Sequence, residues 1–428
     1  MFKRTVRKPS KIAYQRRDLR SSGGGQDGAP QRKHRPDYQI LIICLSLLGI
    51  GLIVVYSISP GLAVSRNVGE NYFTLKLVIA ILLGLVVFGI SSFIPIKAWR
   101  NGWKILVVLA IIAAIMVQLF DHEVNGASRW IQAGGLSFQV AELIKLALVI
   151  GLSVFLVARI DANSMSSTQK TLRPILILLA LIGVVVAGLE SDLGSAGVMA
   201  AIVMVMAFTA GLPVGRISLI LAILLAGTFI AISSSSYRRE RVETFLNPSS
   251  DCQASGYQAC QALIAVGSGG MFGRGLGKSV QAYGYLPEAA NDSVFAVIAE
   301  KFGFIGVSLV IALYIWLFAR MKRIITHTQD NFSRLVVVGV LSWVSVQAII
   351  NIGAMTGLLP LKGITLPFIS LGGTSLVFIM AALGIVFQVS RYTNFSPVRG
   401  ITIGDDASED YASRRGKRRT YYASSIDR

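Results

Sequence analysis

The sequence predicts an all-α polytopic membrane protein with ten transmembrane helices and a large extracellular loop between the seventh and eighth. Three observations carry that prediction. The 428 residues are 53% hydrophobic and only 15% charged, whereas a soluble domain is about 45–50% apolar and about 25% charged. Ten apolar stretches have the length that a hydrocarbon core demands, roughly 20 residues per helix. No ten-residue segments of alternating hydrophobicity appear, so a membrane β-barrel is excluded. A soluble enzyme, a disordered chain and a secreted disulfide scaffold fit the composition poorly.

The elements follow in order. Residues 1–37 hold eleven Lys/Arg and the run Ser21-Ser22-Gly23-Gly24-Gly25. Such a composition cannot bury a core and reads as a disordered basic cytoplasmic tail. The first apolar stretch is too long for a cleavable signal. The membrane domain is expected over 38–391, with spans near 38–57, 74–95, 103–120, 138–158, 173–188, 192–211, 215–233, 293–319, 333–356 and 374–391. Residues 234–292 form the long outer loop. Its apolar patch Ala262–Val266 predicts that it folds back on the helices, since long loops in compact proteins are commonly functional. Segments 58–73, 121–137 and 357–373 are expected to complete the same outer face, and 392–428 to form a second polar cytoplasmic tail.

Charge fixes the expected orientation. The formal net charge is +19. With both tails inside, the inner loops hold eleven Lys/Arg against two Asp, and both tails are net positive. The outer and intramembrane remainder has eleven basic and twelve acidic residues, which is nearly neutral. The whole excess on one side is the positive-inside signature, with attraction to anionic membrane lipid. It is not a nucleic-acid footprint, so no nucleic-acid partner is expected.

Several residues carry possible chemistry. Asp292 stands where the long loop re-enters the membrane. There its spacing reads first as a helix N-cap, with a buried general base as the alternative. Glu288 is a second carboxylate or a loop-surface residue. Glu142 and Lys145 share a helix face at i, i+3 spacing, with Lys145 about 10 Å below the outer end. They form either a locking ion pair or a substrate-facing one. Arg129 beside Trp130 reads as an interfacial anchor or a phosphate grip. Arg238 and Arg241, from Tyr237-Arg238-Arg239-Glu240-Arg241, and Lys362 are outer cations against the inside bias, suited to an anionic ligand. The run Gly267–Ser279 ends like a phosphate-binding P-loop, but Phe272 occupies the first required glycine position and no strand precedes it. It remains a flexible bend or a backbone phosphate contact. Cys252 and Cys260 lie outside, where a disulfide can form. Cys44 is a core residue, and the three histidines show no zinc spacing.

Several strings in one order are similar to one family. They are Asn125-Gly126-Ala127-Ser128-Arg129-Trp130-Ile131, Gln139-Val140-Ala141-Glu142 with Lys145, and Glu190-Ser191-Asp192-Leu193-Gly194-Ser195. Gly256-Tyr257-Gln258 and Ala265-Val266-Gly267-Ser268-Gly269-Gly270 follow, then Leu286-Pro287-Glu288 with Asp292 and Gly357-Leu358-Leu359-Pro360. Last comes Leu366-Pro367-Phe368-Ile369-Ser370-Leu371-Gly372-Gly373-Thr374-Ser375. Over residues 38–391 the chain resembles the SEDS (shape, elongation, division and sporulation) family of FtsW, RodA and SpoVE. The segment Leu359–Pro367, with its Lys362-Gly363 pair, resembles the FtsW branch. The chain departs from the usual pattern at Val140, Ala141, Ser191, Ala262 and Leu371.

The resemblance implies a peptidoglycan glycosyltransferase that polymerises lipid II at the outer face of the cytoplasmic membrane, for septal wall synthesis in division. It implies Asp292 as the essential carboxylate. Arg129, Glu142, Lys145, Arg238, Arg241, Gln258, Glu288, Lys362 and Ser370 are the candidate substrate-binding residues. A divalent cation, Mg or Mn, is a candidate cofactor. Expected partners are lipid II, the growing glycan strand, a class B penicillin-binding protein and other divisome proteins. The alternatives are a lipid II flippase or transporter, a RodA-like elongation polymerase, and a non-catalytic divisome scaffold.

Overall fold

The computed structural model describes residues 35–119, 130–133, 136–190, 192–247, 252–253 and 256–393. Nearly all of both expected tails and Arg129 lie outside the described residues, and so does the side chain of Arg238. The regular secondary structure of the described residues is helical apart from one short hairpin. Its helices are α1 (Tyr38–Arg66), α2 (Tyr72–Phe93), α3 (Ile96–Leu119), α4 (Val140–Asp161), α5 (Arg173–Ile182) and α6 (Leu193–Thr209). They continue as α7 (Val214–Ser233), α8 (Ser236–Leu246), α9 (Tyr257–Ser268), α10 (Val294–His327), α11 (Asn331–Met355) and α12 (Gly373–Ser390). Strands β1 (Trp130–Ala133) and β2 (Leu136–Gln139) pair antiparallel just before α4. Wider π-turns flank α5 at Thr168–Leu172 and Gly183–Leu189, so the apolar helix there runs from Thr168 to Gly188.

Nine of these helices are long and apolar enough to cross a membrane among the described residues. The sixth expected span, 192–211, is the exception. Its helix α6 is apolar but has 17 residues, about 25 Å at 1.5 Å per residue, against a hydrocarbon core of about 30 Å. The expected ten thus become nine of full length and one short helix. Asp192 starts α6 by accepting a hydrogen bond from Ser195 N at 3.0 Å, which satisfies one of the first-turn donors. The expected outer loop 234–292 is not a plain loop. It contains α8, α9 and a 3-10 turn at Gln281–Tyr283, and the apolar patch expected to fold back lies inside α9, where Ala262 and Ala265 are buried.

Long-range contacts sort the helix ends into two faces. At one face Arg320 of α10 grips Asp37 at 2.6 Å, Ser390 of α12 accepts from Asp37 N at 3.1 Å, and Thr328 meets Thr393. At the other, Arg66 at the end of α1 pairs with Glu288 at 3.1 Å. A Cβ on Gly194, at the start of α6, would lie 3.1 Å from Lys362 O, so these segments share that second face. The helices supply the core, which runs through α1, α4, α6, α10, α11 and α12. By contrast α3 and α7 bury few residues and present apolar surface outward, as lipid-facing helices do.

Residues 357–372 do not simply cap the outer face as expected. Ile364, Leu366, Phe368, Ile369 and Ser370 are all buried. Ile369 packs on Gly51, where a Cβ would come within 2.7 Å of its carbonyl oxygen. Gly51 lies near the middle of the 29-residue α1, about 20 Å from either end. The segment therefore re-enters the helix bundle to mid-depth. Irregular backbone at that depth is tolerable only when protein satisfies its polar groups. Here Tyr314 donates to Pro367 O, Leu371 N donates to Ala290 O at 2.8 Å, and Ser370 Oγ accepts from Leu366 N at 2.8 Å.

The glycine run also has a structural explanation. Helix α10 breaks at Gly303, whose φ is +64. The strand of backbone from Gly269 to Gly275 lies against that break. Arg274 N donates to Glu300 O at 2.8 Å, Gly275 N to Lys301 O at 3.0 Å and Phe304 N to Gly270 O at 2.9 Å. A Cβ at Gly269 would sit 1.9 Å from Ala299 O, and one at Gly273 2.1 Å from Lys301 O. Glycines are needed because two backbones touch. Next to this strap the buried Glu300 carboxylate accepts from Ser279 Oγ at 2.5 Å, Val280 N at 2.8 Å and Gln281 N at 3.1 Å. The run is a packed strap, not a flexible bend, and its Arg274 and Gly275 N–H groups are committed to α10.

Candidate active site

Asp292 sits two residues before α10, which Ser293 introduces at its N-cap position. It lines a small cleft with Ile350, Asn351, Ala354, Met355, Leu361, Lys362, Gly363 and Ile364. Three segments therefore meet at its carboxylate: the end of the long outer segment, the last turns of α11 and the start of the re-entrant segment. Gly363 has φ +64, and a Cβ there would lie 3.7 Å from Asp292 Oδ2. The glycine both adopts the left-handed conformation and lets the segment pass close beside the carboxylate.

Each neighbour has a local reason to be there. Gln258, in the first turn of α9, donates through Nε2 to Ser293 Oγ at 3.1 Å and reaches Asp292 Oδ1 at 3.5 Å. The disulfide Cys252–Cys260 staples the approach to α9, joining two cysteines 8 positions apart. Arg241 of α8 extends to Leu361 O at 3.4 Å and so lies over the re-entrant segment beside Lys362. Glu288 has φ +50, and its carboxylate is held by Arg66 and by Asn291 Nδ2.

Burial pushes the Asp292 carboxyl up to about 6, and the nearby Glu288 charge pushes the same way. The Gln258 hydrogen bond, a backbone hydrogen bond and the Arg241 guanidinium oppose the shift. A carboxylate with a pKa near 6 is mostly ionised at neutral pH yet basic enough to take a proton, as a general base requires.

The expected site residues divide accordingly. Asp292, Gln258, Glu288, Arg241 and Lys362 come together around this cleft. Glu142 and Lys145 do not reach it as open ligands. They form an ion pair of 2.7 Å, each about 2% exposed, and Lys145 Nζ lies 5.4 Å from the Trp343 ring centroid. Of the two readings left open, the structure favours the locking pair. Ser370 is a correction: it is buried and bonded to Leu366 N within the re-entrant segment, so it braces that segment and does not face the cleft. Arg129 lies outside the described residues, as does the side chain of Arg238. Arg66, Asn291 and Asn351 are additions that sequence reasoning does not supply. A signal for Asn351 is nevertheless present: Gln347 and Asn351 are amides at i, i+4 in an otherwise apolar span, and polar groups inside membrane helices usually have a task.

Against known proteins, the family described as a cell cycle protein, FtsW/RodA/SpoVE, matches residues 38–395. The chain belongs to the FtsW/RodA/SpoVE family. Among curated relatives, a probable peptidoglycan glycosyltransferase FtsW from Coxiella burnetii is 37% identical, with 83% of this chain and 96% of that protein covered. Stage V sporulation protein E of Bacillus subtilis is 35% identical, covering 85% and 99%. Among solved structures, one from a peptidoglycan synthase complex that coordinates polymerization and crosslinking superposes with a TM-score of 0.67. It is 26% identical and covers 83% of this chain and 98% of that one. The rod shape determining protein RodA of Thermus thermophilus gives 0.61 at 26% identity, covering 84% and 98%. Family membership and the long apolar helices together make this a multi-pass membrane protein.

Proposed function

We propose that this FtsW/RodA/SpoVE member is a peptidoglycan glycosyltransferase that polymerises lipid II on the outer face of the cytoplasmic membrane, with Asp292 as its general base. The single observation that carries the proposal is the half-buried Asp292 carboxylate, raised to about 6, in a cleft shared with Lys362. Relatives named as glycosyltransferases supply the reaction class.

The 4-hydroxyl of the acceptor N-acetylglucosamine attacks the anomeric carbon of the donor with inversion. Asp292 takes the hydroxyl proton, the new glycosidic C–O bond forms, and the bond from that carbon to the pyrophosphate oxygen breaks. The electron pair leaves with undecaprenyl pyrophosphate. A positioned base contributes about 10²–10⁴-fold. Lys362 and Arg241 are the cations suited to the developing negative charge. No cluster of three or more His, Cys, Asp or Glu gathers among the described residues, so those side chains build no all-protein cage for Mg or Mn. EDTA treatment with Mg or Mn re-addition reads the metal dependence directly.

Both termini are assigned to the cytoplasm, supported by the positive-inside distribution, and the Asp292 face to the outside. The partner assignment is a class B penicillin-binding protein, supported by the structural relative's place in a polymerizing and crosslinking complex. A septal role is favoured by the FtsW-like Lys362-Gly363 segment. Depletion is expected to give filaments, whereas round cells would favour elongation. The transporter alternative loses its main support, because Glu142 and Lys145 are buried against each other. The test is polymerisation of purified lipid II by the full chain, with and without the transpeptidase. Asp292→Asn is expected to abolish glycan strands, and full activity in that variant refutes the base.

A further inference from the structure

We infer that Asn351 is a positioning residue for the transfer reaction: its side-chain amide ties the backbone that bears Asp292 to the backbone of the re-entrant segment that bears Lys362. The inference rests on the proposed role of Asp292. Asn351 is 2% exposed and lies in the last turns of α11. Its Nδ2 donates to Asp292 O at 2.7 Å and to Ile364 O at 2.7 Å. Both hydrogen bonds are short, and together they use the two amide protons.

The Asp292 carbonyl has a reason to need this donor. The N-cap Ser293 follows, and Ala296 N and Val297 N both turn to Ser293 O. Asp292 O is thus left outside the helical ladder at a part-buried position, where an unmade hydrogen bond is costly. Ile364 O belongs to irregular backbone at membrane depth, which must also be satisfied by protein. One side chain satisfies both and, in doing so, sets the separation between base and cationic rim. Lys362 lies two residues from Ile364, and Gly363 passes beside Asp292 Oδ2.

Asn351 is also braced along its helix. Gln347, one turn earlier, points Nε2 at Thr365 O and Oγ1 at 3.4 Å, and accepts from Trp343 Nε1 at 2.8 Å. Trp343, Gln347 and Asn351 thus form a polar ladder at i, i+4 and i+8 on one face of α11. Its foot is the tryptophan against which Lys145 rests. The ladder accounts for amides in an apolar helix, and it holds the re-entrant segment at two successive points. Asn351 Oδ1 has no hydrogen-bond partner among the described residues, so the amide acts here as a donor.

Full-length protein polymerising purified lipid II tests this. Asn351→Ala is expected to lower kcat on the order of 10²-fold, the cost of a misplacement of about 1 Å, with KM changed less than about two-fold. The acid limb of the kcat/KM profile, which reports the free enzyme and lies near the Asp292 value of about 6, is expected to move to lower pH as the carboxyl gains water. The facing groups Glu288, Arg241 and Lys362 are unaltered in that variant. Asn351→Ser, which keeps one donor, is expected to recover part of kcat, and it serves if the alanine variant fails to fold. Ser342→Ala, on the same helix with its hydroxyl bonded to Val338 O at 2.8 Å, controls for loosening of α11 and is expected to leave the pH profile unchanged. Asn351 variants that keep wild-type kcat and pH profile, while Asp292→Asn is inactive, overturn the positioning role alone. An active Asp292→Asn overturns the reading beneath it.

Discussion

Replacing Asp292 with Asn exchanges activity for stability, and the structure sets the size of both changes. Burial and the Glu288 charge raise the Asp292 carboxyl from 3.8 to about 6. A tenfold change in proton affinity corresponds to about 1.36 kcal/mol. A carboxyl raised on folding holds its proton more tightly folded than unfolded, so stability falls as pH rises from about 4 to about 6. Above that range the ionised group costs the fold up to about 3 kcal/mol. Asparagine keeps the shape without the charge. The variant is expected to melt above the wild type in detergent at about pH 7.5, by an amount that shrinks as pH falls through about 6 towards about 4. Polymerisation of lipid II should fall by about 10²–10⁴-fold over the same comparison. The assay pairs a thermal melt across roughly pH 4–8 with a glycan-strand gel. A variant that polymerises normally, or one whose melting advantage is the same at every pH, refutes the assignment of a strained base.

The remaining predictions concern the frame around it. Glu142→Gln is expected to destabilise by about 3–5 kcal/mol, because it strands the buried Lys145 charge. The double change Glu142→Leu with Lys145→Met should recover much of that in a melt, which a substrate-facing pair would not allow without loss of activity. Gly273→Ala forces a Cβ to 2.1 Å from Lys301 O at φ +78, and loss of folded protein on size exclusion is the expected result. Wild-type Cys252 and Cys260 should resist maleimide until reduced, and Cys260→Ser should cost about 2–3 kcal/mol in the melt. Lys362→Ala should lower kcat at unchanged folded yield; unaltered kinetics would remove Lys362 from the pyrophosphate site.

Much of the site is legible in the chain. Asp292 and Glu288 stand in a short motif at a span boundary, and Gln258, Arg241 and Lys362 stand out as polar groups on the outer side. Asn351 is harder to see, because its importance lies in two carbonyls that are 59 and 13 residues away in sequence. Ser370 misleads for the complementary reason. It sits in a distinctive local motif, but it is buried and its hydroxyl oxygen accepts from Leu366 N four residues away. Local pattern identifies a residue that matters without saying whether it faces substrate or backbone.

Hydrophobicity and charge are properties of each residue, and they sum along a segment whatever the rest of the chain does. The membrane class, nearly all the spans, the charge asymmetry and the carboxylate at the mouth of α10 are therefore written in the residue order alone. Depth, pairing and backbone satisfaction depend on what a segment meets. It took the packed helices to establish that residues 357–372 plunge to the middle of α1, that the glycine run closes a broken helix, and that Glu142 and Lys145 lock each other. The same holds for the buried amide that keeps Asp292 against Lys362's segment, because a carbonyl left out of a helix and shielded from water must find its donor from another part of the chain.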